Sequence, residues 1–292
     1  MLRAFGTRER DVAVRNPDYL AASLAGSSHM YRLGFALSGI PTLHSLAKRL
    51  ADLISPGGYW AETARVKYCD EILIEGVSEQ VPQVIVLGAG LDSRAYRFAS
   101  DLRNAAVFEV DHPATAAYKR ERVEAACGGL PPHVNYVSVD LTKDSLKTAL
   151  LGAGFDPDSR VLVLWMGVSM YLPADAVADV LSWAGGLADG SSFVFDYVDQ
   201  CFFEDNRLLG LPRRTRAFLG LSGERLITGF DRGTLTDHLA EHGLAVKRHL
   251  TPKDAEARYL RRSDGRSAGT PFAYWGYVHA KVVSEPHYPW AL

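Results

Sequence analysis

The sequence predicts an α/β fold: a mainly parallel sheet of about seven strands, helices on both of its faces, and a helical cap ahead of it. Three observations predict it. Compact β-branched and aromatic runs alternate with helix-like stretches from residue 83 onward. Those runs lack polar alternation, which means that both faces of the sheet are covered. The 292 residues, 47% of them hydrophobic, can bury a full core without a disulfide or metal staple.

Residues 1–80 read as helical with breaks. Pro17, within Asn16-Pro17-Asp18, fits the first turn of a helix. Ile40-Pro41-Thr42 opens another, and Ser55-Pro56-Gly57-Gly58 ends it. From Tyr59 to Val77 apolar residues recur at helical spacing. The strand-like runs are Gln83–Leu87, Ala106–Val110, Val134–Val139, Val161–Trp165 and Phe193–Val198, separated by helix-like Pro113–Ala126, Asp144–Leu151 and Ala174–Leu187. A partly helical insertion spans 199–229, and Arg232–Glu241 is a helix closed by Gly243. Leu244–Leu250 reads as a strand, 251–270 as a polar loop, and Phe272–Val283 as the last strand. The late pair could form an antiparallel hairpin.

Composition narrows the function. There are 32 basic and 34 acidic residues, a formal charge of −2, whereas a nucleic-acid binder carries a basic excess. No apolar run is long enough to span a membrane, and the first ten residues hold no apolar core of a signal peptide. Cys69, Cys127 and Cys201 are odd in number and far apart. They read as reduced thiols of a cytoplasmic protein.

Val84-Ile-Val-Leu-Gly-Ala-Gly-Leu-Asp92 carries the first chemical signal: a strand ends in Gly88-Ala89-Gly90 and a helix follows. Glycines there let the backbone turn tightly and approach a ligand. Asp111 ends the next strand, 21 positions after Gly90, where an acid grips the hydroxyls of a ribose. It could equally cap the following helix. Serine at position 93 replaces the third glycine of a dinucleotide fingerprint, and Asp92 lies where a pyrophosphate would sit. A carboxylate suits a cation there, which favours S-adenosylmethionine over a nicotinamide dinucleotide. An NAD(P)-dependent oxidoreductase remains the alternative on such a sheet.

These residues resemble a known family. Gly88-Ala-Gly-Leu-Asp-Ser-Arg-Ala-Tyr-Arg97 is similar to the first motif of the leucine carboxyl methyltransferases, which include bacterial O-methyltransferases of natural-product pathways. Ala64-Arg-Val-Lys-Tyr-Cys-Asp70, Phe108-Glu-Val-Asp-His-Pro113, Val139-Asp-Leu141 and Leu164-Trp-Met-Gly-Val-Ser-Met-Tyr-Leu-Pro173 resemble four further motifs in the same order. The resemblance implies a Rossmann-like class I methyltransferase. The whole chain, 1–292, would then be one domain, with a cap and cofactor-binding helix in 1–80 and the core in 81–292. Arg65 would pair with the cofactor's carboxylate, Gly88 and Gly90 would give the close backbone approach, Asp111 would hold the ribose, and Asp140 with Leu141 would fix the adenine. The sequence departs from the family at Val66, usually threonine, and at Met166, usually glutamate. Either another acid replaces that glutamate or the substrate side is more apolar.

The expected reaction is methyl transfer to a carboxylate or hydroxyl of a small molecule in secondary metabolism, with C-methylation or a rearrangement as alternatives. Tyr171 and Tyr197 follow strand ends, where ligands of such sheets bind. Tyr19, Met166, Arg261 and Arg262 are further pocket candidates, the arginines as a clamp for an anion. A phenol would benefit from a base. His29, in the cap, and Tyr197 are the candidates for a catalytic role. His238-Leu-Ala-Glu-His242 matches a zinc pattern, but Gly243 ends its helix at once, so no metal is expected. Gly167-Val-Ser-Met-Tyr171 lacks the last glycine of a nucleophile elbow. Phe202, Phe203 and Leu208–Leu211 could serve a homodimer contact.

Overall fold

Strands β1 (Gln83–Leu87), β2 (Ala106–Asp111), β3 (Val134–Ser138), β4 (Val161–Trp165), β5 (Ser192–Val198), β6 (Leu244–Leu250) and β7 (Trp275–Val282) form one sheet in the order β3-β2-β1-β4-β5-β7-β6. They belong to a computed structural model that describes residues 2–26, 29–204 and 226–283, with backbone alone at 29–32 and 204. β1 pairs in parallel with both β2 and β4. The strand order therefore reverses at β1, and a crevice opens beyond the carboxyl ends of β1 and β4.

The period of two along each strand divides the core. Val84 and Val86 of β1 enter one apolar cluster, while Ile85 and Leu87 enter the other. β4 repeats this, with Leu162 and Leu164 on one side and Val161, Val163 and Trp165 on the other. All ten residues of these two strands are buried, as expected for parallel strands covered on both faces. The expected antiparallel pair is present, but β7 inserts between β5 and β6 and pairs antiparallel with each.

Ahead of the sheet lie α1 (Leu2–Gly6), α2 (Ala21–Leu24), α3 (His29–Leu37), α4 (Pro41–Ile54) and α5 (Gly58–Ser78). Tyr68, Ile72 and Leu73 of α5 join Val84, Val86, Leu162 and Leu164 in the first core. Three local expectations need correction. Pro17 begins no helix: the Asn16 side-chain oxygen accepts the Asp18 N–H at 3.0 Å, and α2 starts only at Ala21. The stretch 251–270 is not all loop, since Pro252–Tyr259 is helical. Thr251 and Asp254 cap that helix reciprocally, with Pro252 in its first turn. The last strand starts at Trp275 rather than Phe272. Of the insertion at 199–229, Cys201–Glu204 is a short helix, and Leu208–Leu211 lie outside the described residues.

His279 of β7 is 2% exposed, with Nε2 3.0 Å from the Ser192 hydroxyl. Burial, reinforced by Lys247, Arg248 and Lys281, pushes its imidazole down to about 4. The unfolded chain takes up that proton near ~6.5. Stability is thus complete above that value and falls with acid through the window down to about 4. Urea titrations at about pH 7 and about pH 5 are expected to differ by about 2 kcal/mol from this residue. His279→Asn should shrink the difference, and an unchanged difference would remove His279 as its source.

Candidate active site

The chain leaves β1 through Gly88 and Gly90, whose φ angles of +67° and +44° are left-handed. A Cβ on Gly88 would lie 2.3 Å from Cγ2 of Val168, so only glycine lets this turn pass under the β4 loop. The N–H groups of Gly88 and Ala89 both donate to the Val110 carbonyl, at 2.8 and 3.0 Å. The Gly90 N–H donates to Oδ2 of Asp111 at 2.5 Å. Asp111 therefore fixes the glycine turn, while His112 caps the helix Pro113–Cys127 by accepting the Ala114 N–H. Asp92 follows the turn and is 8% exposed. Burial raises its carboxyl, but Arg94, Arg3 and Lys119 outweigh this and hold it well below the usual range. Its charge is matched by the Arg94 guanidinium, which donates to it directly.

Arg65 projects from α5 into the crevice with its side chain 13% exposed. Its Nε–H donates to Asp196 Oδ2 at 2.7 Å, and Nη1 donates to Glu62 Oε1 at 2.5 Å. The guanidinium lies 5.2 Å from the Trp275 ring centre. Asp196 has no solvent exposure. Besides Arg65 it accepts Nε1–H of Trp275 at 2.7 Å and N–H of Gly167 at 2.5 Å. Gly167 is itself left-handed, at φ +73°, and a Cβ there would press on the Arg65 guanidinium at 3.2 Å. Burial works against both charges, yet Asp196 and Glu62 raise Arg65, while Arg65 and Arg3 lower Glu62. Glu62 and Arg65 are both held ionised.

A cavity of about 520 Å³ opens over these groups. Gly88, Gly90, Asp92, Glu62 and Arg65 line it together with Met166, Tyr171, Leu226, Phe272 and Tyr274. The N-terminal segment closes it with Leu2, Arg3, Ala4, Ala21 and Ala25. Phe272 stacks on Tyr274 with ring centres 5.1 Å apart.

Of the residues singled out in the sequence, Arg65, Gly88, Gly90, Met166 and Tyr171 come together here, and Asp111 joins them through Gly90. Asp140 and Leu141 lie beyond β3 and do not line the cavity. The Val139 N–H donates to the Asp111 carbonyl at 2.8 Å, which keeps the two strand ends adjacent. The Asp140 carboxylate accepts from Thr142 and from Lys143 Nζ, the latter at 2.7 Å. Four other expectations are corrected. Tyr197 is wholly buried in the second core, its hydroxyl 2.8 Å from Nε2 of His249. Tyr19 is 66% exposed, away from the lining. Arg261 and Arg262 also lie off the lining, in a turn closed by the Arg262 N–H donating to the Arg266 carbonyl. Phe202 is buried against Tyr274, ring centres 4.6 Å apart, and so is not available for a dimer contact. The His29 side chain lies outside the described residues. Sequence reasoning missed Arg3, Glu62 and Asp196. Only Asp196 left a signal, as a lone acid in the otherwise apolar run Phe193–Val198. His238 and His242 pack edge to face, 5.2 Å apart. Among the described residues no group of three or more His, Cys, Asp or Glu side chains could hold a metal ion, and no helix is long and apolar enough to cross a membrane.

A seven-stranded sheet of this order, with a glycine turn after β1 and an acid ending β2, defines a class I S-adenosylmethionine-dependent methyltransferase fold. Two solved structures share the fold at low identity. One is a protein provisionally named a methyltransferase from Thermobifida fusca YX, with a TM-score of 0.52 and 16% identity, covering 96% of this chain and 97% of that one. The other is a DUF574 family protein from Streptomyces avermitilis MA-4680, with a TM-score of 0.53 and 14% identity, covering 88% and 98%. The chain belongs to the leucine carboxyl methyltransferase family, whose profile matches residues 2–185. YktD of Bacillus subtilis (strain 168), provisionally named an S-adenosyl-L-methionine-dependent methyltransferase, is 31% identical over 219 residues, 74% of this chain and 71% of its own. A relative from Mycolicibacterium smegmatis with the same provisional name is 28% identical over 285 residues, 89% of this chain and 90% of its own. The enzyme is an S-adenosylmethionine-dependent methyltransferase, which sets aside the nicotinamide alternative.

The cavity residues fit that cofactor. A Cβ on Gly90 would meet only the Gly88 carbonyl oxygen, at 3.9 Å, so the space beside the turn is open to a ligand. Asp196 and Glu62 take two of the five N–H donors of Arg65, so three are left for a ligand carboxylate. Gly88→Ala is expected to weaken S-adenosylhomocysteine binding at least tenfold, about 1.4 kcal/mol, by calorimetry. Adding Val168→Ala should restore part of the loss by clearing the contact while leaving the φ strain. Full affinity in Gly88→Ala alone would show that the turn does not shape the site.

Proposed function

We propose that the enzyme methylates an oxygen that arrives already ionised, a carboxylate on a small and largely apolar molecule. The observation that carries this is the state of the cavity's acids. Glu62 and Asp92 are ion-paired and held below the usual carboxylate range, and no imidazole is among the described lining residues. Such acids are poor bases toward a phenol of pKa near ~10, whereas a carboxylate of pKa near ~4 needs none at neutral pH. The family to which the chain belongs takes its name from a carboxyl acceptor, which supports the same reading.

In this reading Arg65 would hold the cofactor's carboxylate, Gly88 and Gly90 would let its nucleoside approach the backbone, Asp111 would hold the ribose, and Asp140 and Leu141, beside Asp111 but off the cavity lining, would hold the adenine. When bound, the cofactor supplies a methyl carbon made electrophilic by a positive sulfur, so an acceptor lone pair can displace a neutral thioether without moving a proton. The residues of this chain then have a positioning task. Met166, Tyr171, Leu226, Phe272 and Tyr274 form the wall against which the acceptor lies, and Leu2, Arg3 and Ala4 exclude water above it. Arg3 replaces Arg261 and Arg262 as the positive group nearest the acceptor. A small acceptor fits a role in secondary metabolism. The thiols fit a reducing, cytoplasmic setting: all three cysteines are free, and burial pushes Cys69 up to about 12.

A labelled-methyl assay against panels of carboxylic acids and phenols tests the proposal. Turnover is expected with an apolar or aromatic acid, at a rate nearly flat between about pH 6 and about pH 9 because the acceptor is ionised throughout. Turnover confined to phenols, rising about tenfold per pH unit, would overturn it. Arg65→Ala or Asp111→Ala should each weaken S-adenosylhomocysteine at least tenfold, about 1.4 kcal/mol. Unchanged affinity in both would remove the cofactor from this crevice.

A further inference from the structure

Glu62 and Arg65 stand one helical turn apart on α5, and both face the cavity. Between them they present an anion and a cation 2.5 Å apart, within reach of a single small group. Their other contacts fix which atoms remain to meet a ligand. Asp196 holds Arg65 through Nε, and Glu62 holds it through Nη1. Glu62 uses Oε1 for Arg65, while its Oε2 lies 3.7 Å from Nε of Arg3, beyond hydrogen-bond distance. Glu62 lines the cavity, and its Oε2 has no hydrogen-bond partner among the described residues.

We infer that Glu62 and Arg65 together form a clamp for a zwitterion, with Glu62 receiving the α-ammonium of the cofactor's amino-acid end and Arg65 its carboxylate. The inference rests on the placement of that end at Arg65. It also answers the departure at Met166. The acid that this chain lacks after β4 would be supplied from α5, which lines the same cavity. A ligand carboxylate brought to Arg65 meets the negative Glu62 beside it, which repels a simple carboxylic acid. An adjacent ammonium turns that repulsion into attraction. The pair therefore selects an α-amino acid over a plain acid, and it keeps a carboxylate acceptor from occupying the cofactor's end of the cavity.

Calorimetry with four ligands tests this: S-adenosylhomocysteine, its carboxypropyl analogue without the ammonium, its aminopropyl analogue without the carboxylate, and methylthioadenosine, which has neither. In Glu62→Gln, S-adenosylhomocysteine and the aminopropyl analogue should each bind at least tenfold more weakly. The carboxypropyl analogue, relieved of the repulsion, should bind more tightly than to the wild type, and methylthioadenosine should stay within about twofold. Arg65→Lys should instead penalise S-adenosylhomocysteine and the carboxypropyl analogue. The wild-type enzyme needs no variant to contribute: it should prefer S-adenosylhomocysteine to the carboxypropyl analogue at least tenfold. Equal wild-type affinity for those two, or equal weakening of all four ligands in Glu62→Gln, overturns the role of Glu62. If Arg65→Lys leaves the carboxypropyl analogue unaffected, the placement of the cofactor's carboxylate fails instead.

Discussion

The carboxylate of Asp196 is the contact on which the site depends. It has no exposure to water, and a bare charge so placed would cost several kcal/mol. Three donors from three distant segments offset that cost: Gly167 after β4, Arg65 on α5 and Trp275 at the start of β7. Satisfying this one group fixes the direction of the Arg65 fork, the turn that follows β4, and the ring against which the guanidinium stacks. The glycine at 167 belongs to the same constraint, because any side chain there would press on Arg65.

A second set of buried charges ties the N-terminal segment to the glycine turn. Asp18 is 1% exposed. It accepts from the Ser93 hydroxyl at 2.5 Å and lies 3.4 Å from Arg3 and 3.5 Å from Arg97. Arg97 and Arg94 both reach Asp70 of α5, and Arg94 continues to Asp92. Cap, helix and cofactor loop are thus joined through charges that cannot be left single in the interior. That gives the first 80 residues a share in the site beyond Arg65. Leu2, Arg3 and Ala4 stand over the cavity because Asp18 and Arg3 hold their segment down on the loop that follows Gly90.

The sequence showed the strands through their β-branched runs, and it marked Gly88, Gly90 and Asp111 as cofactor candidates through spacing. It could not show which of two neighbouring residues faces the site. In β5, Phe193, Phe195 and Tyr197 alternate into the second core, while Asp196 points the other way. A period of two makes that choice all-or-none. Asp196 finds its partners 29, 131 and 79 positions away, distances at which sequence pattern is silent. The arginines at 261 and 262 failed for a related reason. Their charge was legible, but the turn that keeps them away from the cavity, with Asp11 accepting from Ser263 and Asp264 from Arg266, was not. The helix at Pro252–Tyr259 was legible after all in its Thr-Pro-Lys-Asp start, a capping pattern hidden within a polar stretch.

Charge placement links the departure at Met166 to the proposed acceptor. In the proposed reaction a negative oxygen would join a carbon on a positive sulfur and leave neutral products, so charge would disappear as the bond forms. Water stabilises the separated charges more than the transition state, and a dry wall favours such a step. Met166, Leu226 and the stacked Phe272 and Tyr274 supply that wall. With the acids confined to Glu62, Asp92 and Asp196, each matched to an arginine, the acceptor's side of the cavity is left apolar. Arg3 lines the same cavity between Glu62 and Asp18, and the formal charge of −2 for the whole chain gives no hint of this local arrangement.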